Sequence, residues 1–365
     1  MGKGTVQKLL VVVTLFSSMV GVGVGVAGPV SDLKSDETLV FFNSHAWLDM
    51  PSQQWHIPIH GWVYEPADSK FRKATIAQSL ETLYGLQVTE DNQHNFDRRV
   101  NLLLADNERS KSIVIRLANR TYAISPSQPN GHFKHTIRVD ASILQDQNIM
   151  QSLSYQAVLK TGDERVFTGR VNLVKPQGWS IISDIDDTIK LSLVTDKGQL
   201  MKHTFYLDFQ AVPGMSERYQ QWFQKPNMAL HWVSSSPWQL YPVLEEFIQK
   251  EGFPSAEFNL KPVRFRDSTL MNLFKAGTTT KPPVIAAIIN RYPERQFILV
   301  GDSGEQDPEV YAQINQQFPE QVKHILIRNV TDERANNRRF RQLIIPNNAE
   351  KWQLFTHPEQ IQLDF

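Results

Sequence analysis

Three carboxylates fall within four positions, Asp184, Asp186 and Asp187, where the apolar stretch WSIISDIDDTIKLS (Trp179 to Ser192) breaks. Like charges this close repel, and each raises the pKa of its neighbours unless a cation sits among them. A hard divalent ion such as Mg²⁺ suits such an all-oxygen set. Asp184 and Asp186, two apart in an extended turn, can aim both side chains at one phosphorus, one attacking while the other protonates the leaving oxygen. A calcium loop of the EF-hand type fails, because Ile189 stands where the sixth position needs Gly and Thr195 where the twelfth needs Glu. A helix cap or Asx turn is the plain alternative for any Asp/Thr cluster.

Two further stretches offer complementary chemistry. The run His231-Trp232-Val233 leads into Ser234, Ser235, Ser236 and Pro237, where a hydroxyl and the free N–H groups of a following helix would cradle a phosphate. The run Phe297 to Val300 leads into Gly301-Asp302-Ser303-Gly304-Glu305-Gln306-Asp307, a second acidic cluster. Lys281 begins the helix before that run and would bring an ammonium to the phosphate, with Lys275 as the rival for this role and a solvated lysine as the plain alternative.

The elements that must position these groups follow from patterning. From Trp179 onward strand and helix alternate: helices from Pro213 to Phe223, Pro237 to Gln249, Pro282 to Arg291 and Glu309 to Gln317, strands at Met228 to Val233, Glu257 to Val263, Gln296 to Val300 and His324 to Arg328. Such alternation predicts an α/β fold with a doubly wound parallel sheet, whose ligands bind outside the carboxyl ends of its strands. Residues Ile189 to Ala211 hold two β-prone pieces around Asp196, Lys197 and Gly198, predicting a small hairpin flap over the site. Residues 28–175 predict a β-rich, sandwich-like domain interrupted by one helix, Ser69 to Tyr84, with Phe71, Ile76, Leu80 and Leu83 facing inward and Gly85 as its stop. The catalytic domain is expected over 176–345. The basic run Arg338, Arg339, Arg341 and a tail at 346–365 have no assignment.

The 365 residues carry 38 basic and 38 acidic side chains, so charge gives no reason to expect nucleic acid. There is no Cys, hence no disulfide and no lipoprotein anchor. His56 and His60 are separated by Pro58, and His132 and His135 lack a nearby third ligand, so neither pair predicts a metal site and no zinc is expected. Residues 1–27, with Lys3 and Lys8 before an apolar run and small residues up to Ala27, have the layout of a secretory signal peptide, predicting an exported, periplasmic protein.

Taken together, SDIDDTIK, VSSSPWQLY and GDSGEQDPEVY resemble the catalytic domain of the actin-patch-associated phosphatidate phosphatases, a branch of the haloacid dehalogenase superfamily, over roughly Lys175 to Arg328. The resemblance implies a haloacid-dehalogenase-like fold and an aspartyl-phosphate mechanism. It implies Asp184 as nucleophile and Mg²⁺ ligand and Asp186 as acid and base, its carbonyl on the metal. It implies Thr188, Ser234 and Lys281 on the phosphoryl oxygens, and Asp302 and Asp307 completing the metal site. The implied substrate is phosphatidate or a related lipid phosphate, reached by peripheral contact with a membrane surface. Phe205, Tyr206, Leu207, Phe209 and Trp238 would line the lipid side, with core packing as the plain alternative. A phosphatase for soluble or sugar phosphates and a non-catalytic surface-binding protein are the competing functional readings.

Overall fold

The computed structural model describes residues 28–146, 151–262, 280–334, 336–346 and 348–363, so the leader expected at 1–27 and Lys275 lie outside it. The first half carries nine strands: β1 Thr38–Phe42, β2 Ser44–Asp49, β3 Gln54–Glu65, β4 Asp106–Asn107, β5 Ile113–Leu117, β6 Arg120–Ile124, β7 His132–Asp140, β8 Ser152–Ala157 and β9 Thr168–Val174. Where two packed sheets were expected, the hydrogen-bonded ladder is continuous, in the order β1-β3-β2-β9-β8-β5-β6 with β4 and β7 also on β3. The twelve-residue β3 is the reason: it pairs antiparallel with β1, β2, β4 and β7, and its Ile57, Ile59 and Val63 share a core with Ile115, Leu153 and Val171 of β5, β8 and β9.

Three helices belong to this half, α1 Lys70–Tyr84, α2 Gln93–Leu104 and α3 Ala141–Asp146. Ser69 caps α1 by accepting from the Arg72 N–H, and Gly85 ends it at φ 68°, a conformation natural to glycine. The inward face is narrower than expected. Ile76 and Leu80 are buried, but Phe71 is 81% exposed and Leu83 53% exposed. Helix α2 was not foreseen, although Phe96, Val100, Leu103 and Leu104 follow a helical period.

The second half forms a six-stranded, wholly parallel sheet from β10 Gly178–Ser183, β11 Met228–Pro237, β12 Glu257–Lys261, β13 Arg295–Asp302, β14 Val322–Arg328 and β15 Trp352–Phe355. Its order is β12-β11-β10-β13-β14-β15, so the chain builds outward from β10 in one direction and then from β13 in the other. That reversal between β10 and β13 makes a crevice at their carboxyl ends. The strands read as unbroken apolar runs because both faces are covered. Ile181, Leu230, Trp232 and Val300 pack under α4 Lys197–Phe205, α5 Met215–Trp222 and α6 Tyr241–Lys250. Ile182, Val233, Leu299 and Ile325 pack under α7 Lys281–Arg291, α8 Asp307–Gln317 and α9 Arg338–Leu343. The unassigned tail thus supplies a strand, β15, paired along β14.

The expected hairpin flap is instead helix α4. Asp196 accepts from the Gly198 and Gln199 N–H groups as its N-cap, and Leu200, Met201 and Phe205 are buried. The halves share one core: Phe42, Trp62, Leu80, Phe96 and Val100 cluster with Phe205, Trp238 and Tyr241. Polar ties cross the same boundary, from Asn43 to the Tyr241 hydroxyl (3.0 Å) and Glu245 (2.7 Å), and from Arg99 to the Thr204 carbonyl (3.0 Å).

The histidines pair differently from their spacing in sequence. His60 meets His132 of the neighbouring strand, ring nitrogens 3.1 Å apart, packed against Phe42, Trp62 and Trp238. Burial, helped by Lys134, pushes His60 well down and His132 down to about 4 from the ordinary 6.5. The unfolded chain therefore takes up these protons first as pH falls, so their contribution is intact above about 6.5 and is lost progressively toward about 4. Urea midpoints measured across that window should fall on the acid side, and His132→Gln should flatten the slope. An identical slope in the variant would show that these rings do not titrate on unfolding.

Candidate active site

The sheet brings the sequence-selected groups to one crevice. The Asp184 N–H donates to the Val300 carbonyl at 2.9 Å, which fixes the end of β10 beside the end of β13. Thr188 Oγ1 donates to Asp184 Oδ2 at 3.2 Å, while Lys281 Nζ, at the first turn of α7, donates to Asp184 Oδ1 at 2.8 Å. The same ammonium reaches Asp307 Oδ1 at 2.5 Å and Glu305 Oε2 at 3.3 Å. Gly301 is required for this convergence, because a Cβ there would collide with the Asp307 carboxylate and the Tyr311 ring.

Asp186 faces another set of donors. Its Oδ1 takes the Lys190 ammonium at 2.7 Å and the Ser192 hydroxyl at 2.6 Å, and its Oδ2 takes the Ser236 hydroxyl at 2.9 Å. Ser234 Oγ accepts from the Ser236 N–H at 3.0 Å, and Ser235 Oγ is buried without a partner. Asp187, the third carboxylate of the motif, is turned away from the crevice. At φ 52° it accepts from the N–H groups of Ser192, Leu193 and Val194 and so organises the turn.

The electrostatics separate the two aspartates. Burial, together with Asp307, Glu305 and Asp186, pushes Asp184 well up despite Lys281. Burial alone would raise Asp186 too, but Lys190 and the hydroxyls of Ser192 and Ser236 outweigh it and hold it below its ordinary value. Asp302 is pushed well up by burial and by Asp307, and Glu305 is raised by burial. Burial would lower Lys281, yet Asp184, Asp307 and Glu305 keep it well above its usual range.

This cluster fits a divalent cation. Asp184, Glu305 and Asp307 present oxygens within 4.8 Å of one another. Asp302 Oδ1 accepts from the Gly304 and Glu305 N–H groups, whereas Oδ2 is buried with no partner. Four carboxylates against one ammonium leave a charge of −3 if all are ionised, and hard oxygen donors in such excess suit a hard dication. Glu305, quoted in the motif but given no role by it, belongs to the cluster. Lys190, Ser192 and Ser236 were also missed, although Lys190 is four residues from Asp186 and Ser236 adjoins the chosen Ser234. Arg339 of the unassigned basic run clamps the acidic loop, donating to the Ser303 and Glu305 carbonyls at 2.6 and 2.7 Å.

The aromatics expected on the lipid side pack against other side chains of the protein. Phe205 and Trp238 are core residues, Tyr206 stacks on Phe96, and Phe209 packs edge-on to Phe247 between Arg99 and Lys190. Their energetic reason is desolvation of large rings rather than an interfacial rim.

Lys281→Met should leave Asp184, Glu305 and Asp307 without their cation. The folded pKa values of Asp184 and Glu305 then rise further above the unfolded ones, so stability should drop most at high pH and recover as pH falls and they protonate. Thermal unfolding of wild type and variant at pH 8 and pH 5 checks this. A deficit that does not shrink at pH 5 would contradict the charge account.

Residues 179–329 match the family model described as the phosphatidate phosphatase APP1 catalytic domain. Phosphatidate phosphatase APP1 of Saccharomyces cerevisiae is 35% identical over 160 residues, 43% of this chain and 27% of that protein. An uncharacterized protein of Schizosaccharomyces pombe is 32% identical over 188 residues, 50% of this chain and 29% of that protein. The chain thus spans less than a third of the length of these relatives. Among solved structures, a sialyltransferase from Photobacterium damsela aligns at 9% identity and a TM-score of 0.22, covering 55% of this chain and 34% of that one, a likeness that carries no argument. With its three motifs at the carboxyl ends of β10, β11 and β13, the stretch 179–329 belongs to the family of phosphatidate phosphatase APP1 catalytic domains.

Proposed function

We propose that this protein is a Mg²⁺-dependent phosphatase of the haloacid dehalogenase type, hydrolysing a phosphomonoester through an aspartyl-phosphate on Asp184. The observation that carries the reading is the convergence of Asp184, Lys281, Glu305 and Asp307 at one crevice, with Asp186 nearby in a different electrostatic setting. Asp184 Oδ2, which accepts from the Thr188 hydroxyl at 3.2 Å, attacks phosphorus, and the bond from phosphorus to the alcohol oxygen breaks. The leaving oxygen takes its proton from Asp186. That carboxyl rests ionised beside Lys190, and an incoming phosphate dianion raises its pKa so that it can carry the proton. Water then attacks phosphorus, Asp186 accepts its proton, and inorganic phosphate leaves with Asp184 regenerated. Lys281 and the Ser234 to Ser236 segment would hold phosphoryl oxygens. A cation held by Asp184, Asp302, Glu305 and Asp307 would supply further charge stabilisation there.

The substrate proposed is phosphatidate, or a related lipid phosphate, on the strength of the family match and of the name of the Saccharomyces cerevisiae relative. Export to the periplasm is proposed from the composition of residues 1–27 alone, and fractionation of cells with N-terminal sequencing tests it.

Asp184→Asn should abolish hydrolysis with the fold intact, because an amide cannot form the acyl phosphate, while Asp186→Asn should slow it roughly 10²- to 10⁴-fold. Activity should vanish with chelator and return with Mg²⁺. Purified protein assayed on phosphatidate vesicles, sugar phosphates and an aryl phosphate should prefer the vesicles. Higher turnover of the soluble esters would replace the lipid by a small substrate, and full activity of folded Asp184→Asn would remove the mechanism.

A further inference from the structure

A second cluster of ligating side chains lies about the seam between the two sheets, away from the crevice. His45 on β2, His231 on β11 and Glu257 on β12 are all buried, and each offers an atom within 4.8 Å of the others. They are far apart in sequence, which is why no spacing pattern announced them. Parallel pairing places His231 directly opposite Glu257, and β2 packs against β12.

As a plain hydrogen-bonded cluster the trio is poorly satisfied. His231 Nδ1 meets Glu257 Oε2 at 2.9 Å, but His231 Nε2 and His45 Nδ1 are both buried with no partner. Leaving a polar atom of this kind buried and unpaired is destabilising. The ring geometry suits one shared ion. With a metal–nitrogen bond of ~2.0–2.1 Å, each ring centre lies ~3.2 Å from the ion, and two rings at a tetrahedral angle have centres ~5 Å apart. Here the centres are 4.7 Å apart and the planes meet at 74°.

The surroundings support ligation. Burial, the largest effect on each, keeps both imidazoles neutral, the form that binds metal. Arg291 donates to both Glu257 oxygens at 2.9 and 3.2 Å, fixing the carboxylate as an outer-shell group fixes a ligand. Its guanidinium in turn lies 5.0 Å over the Trp47 ring. A cleft of about 640 Å³ that His45 lines, with Asn172, Ser255 and Asn227, gives a route to solvent and to a water as fourth ligand. Two imidazoles, one carboxylate and a water make a borderline-soft, four-coordinate set, the preference of Zn²⁺ rather than Mg²⁺.

We infer that His45, His231 and Glu257 form a Zn²⁺ site that pins β2 to the edge of the parallel sheet, separate from the catalytic cation. The test uses the full chain, stripped with chelator and returned to buffer with excess Mg²⁺ to cover the acidic crevice. Titration with Co²⁺ should then develop the visible absorption bands of a four-coordinate ion at one equivalent, and Zn²⁺ should bleach them and raise the melting temperature. His45→Gln should lose the bands, while Asp302→Asn, which alters only the crevice, should keep them. Absence of visible bands in the wild-type chain overturns the inference without reference to any variant. Bands that survive His45→Gln but vanish in Asp302→Asn overturn it too, because the ion would then belong to the crevice.

Discussion

One ammonium in a ring of carboxylates is the constraint on which the crevice depends. Lys281 Nζ touches Asp184, Glu305 and Asp307, and of these four groups all but the partly buried Glu305 are withdrawn from bulk water. At an effective dielectric of 20, each pair of unit charges 4 Å apart is worth about 4 kcal/mol, attractive or repulsive. Three attractions to Lys281 therefore stand against three mutual repulsions, with Asp302 adding more. The arrangement holds only because rigid elements deliver it: α7 carries the lysine, the end of β13 leads into the acidic loop, and Gly301 removes the side chain that would keep Asp307 away. Arg339, reaching in from α9, fixes the loop carbonyls.

The same logic explains why two aspartates two residues apart behave differently. Asp184 is buried among like charges and is pushed up, whereas Asp186 sits against Lys190 and two hydroxyls and is held down. A dication among the acidic oxygens would pull Asp184 down to the carboxylate that a nucleophile must be, and a phosphate dianion beside Asp186 would lift it to the acid that protonates a leaving oxygen. Asp187 spends its carboxylate on three backbone N–H groups, so the loop that aims the other two does not collapse.

Much of this was legible in the sequence, and the parts that were not share a cause. The strands of the parallel sheet are covered on both faces, so they read as unbroken apolar runs ending in Asp184, Ser234 and Asp302. Helix α4 was misread as a hairpin because Asp196-Lys197-Gly198 serves equally as a turn or as a helix start, and only the burial of Leu200, Met201 and Phe205 decides. Which face of α1 is covered depends on α2 and on the second half of the chain, so Phe71 and Leu83 could not be placed outside from periodicity alone. Strand β15 is four residues on a sheet edge, too short to show a period. Glu305 and Lys190 went unassigned for a related reason: their roles arise from charges far along the chain, and the resemblance that marked their neighbours gave them none.

The central claim is that Asp184 carries the phosphoryl group, and trapping the intermediate tests it most directly. Enzyme mixed with substrate, quenched within a turnover and reduced with borohydride should convert the residue at 184 to homoserine, seen by peptide mass spectrometry only when substrate is present. Steady turnover with Asp184 unmodified, or reduction at any other carboxylate, would contradict the account.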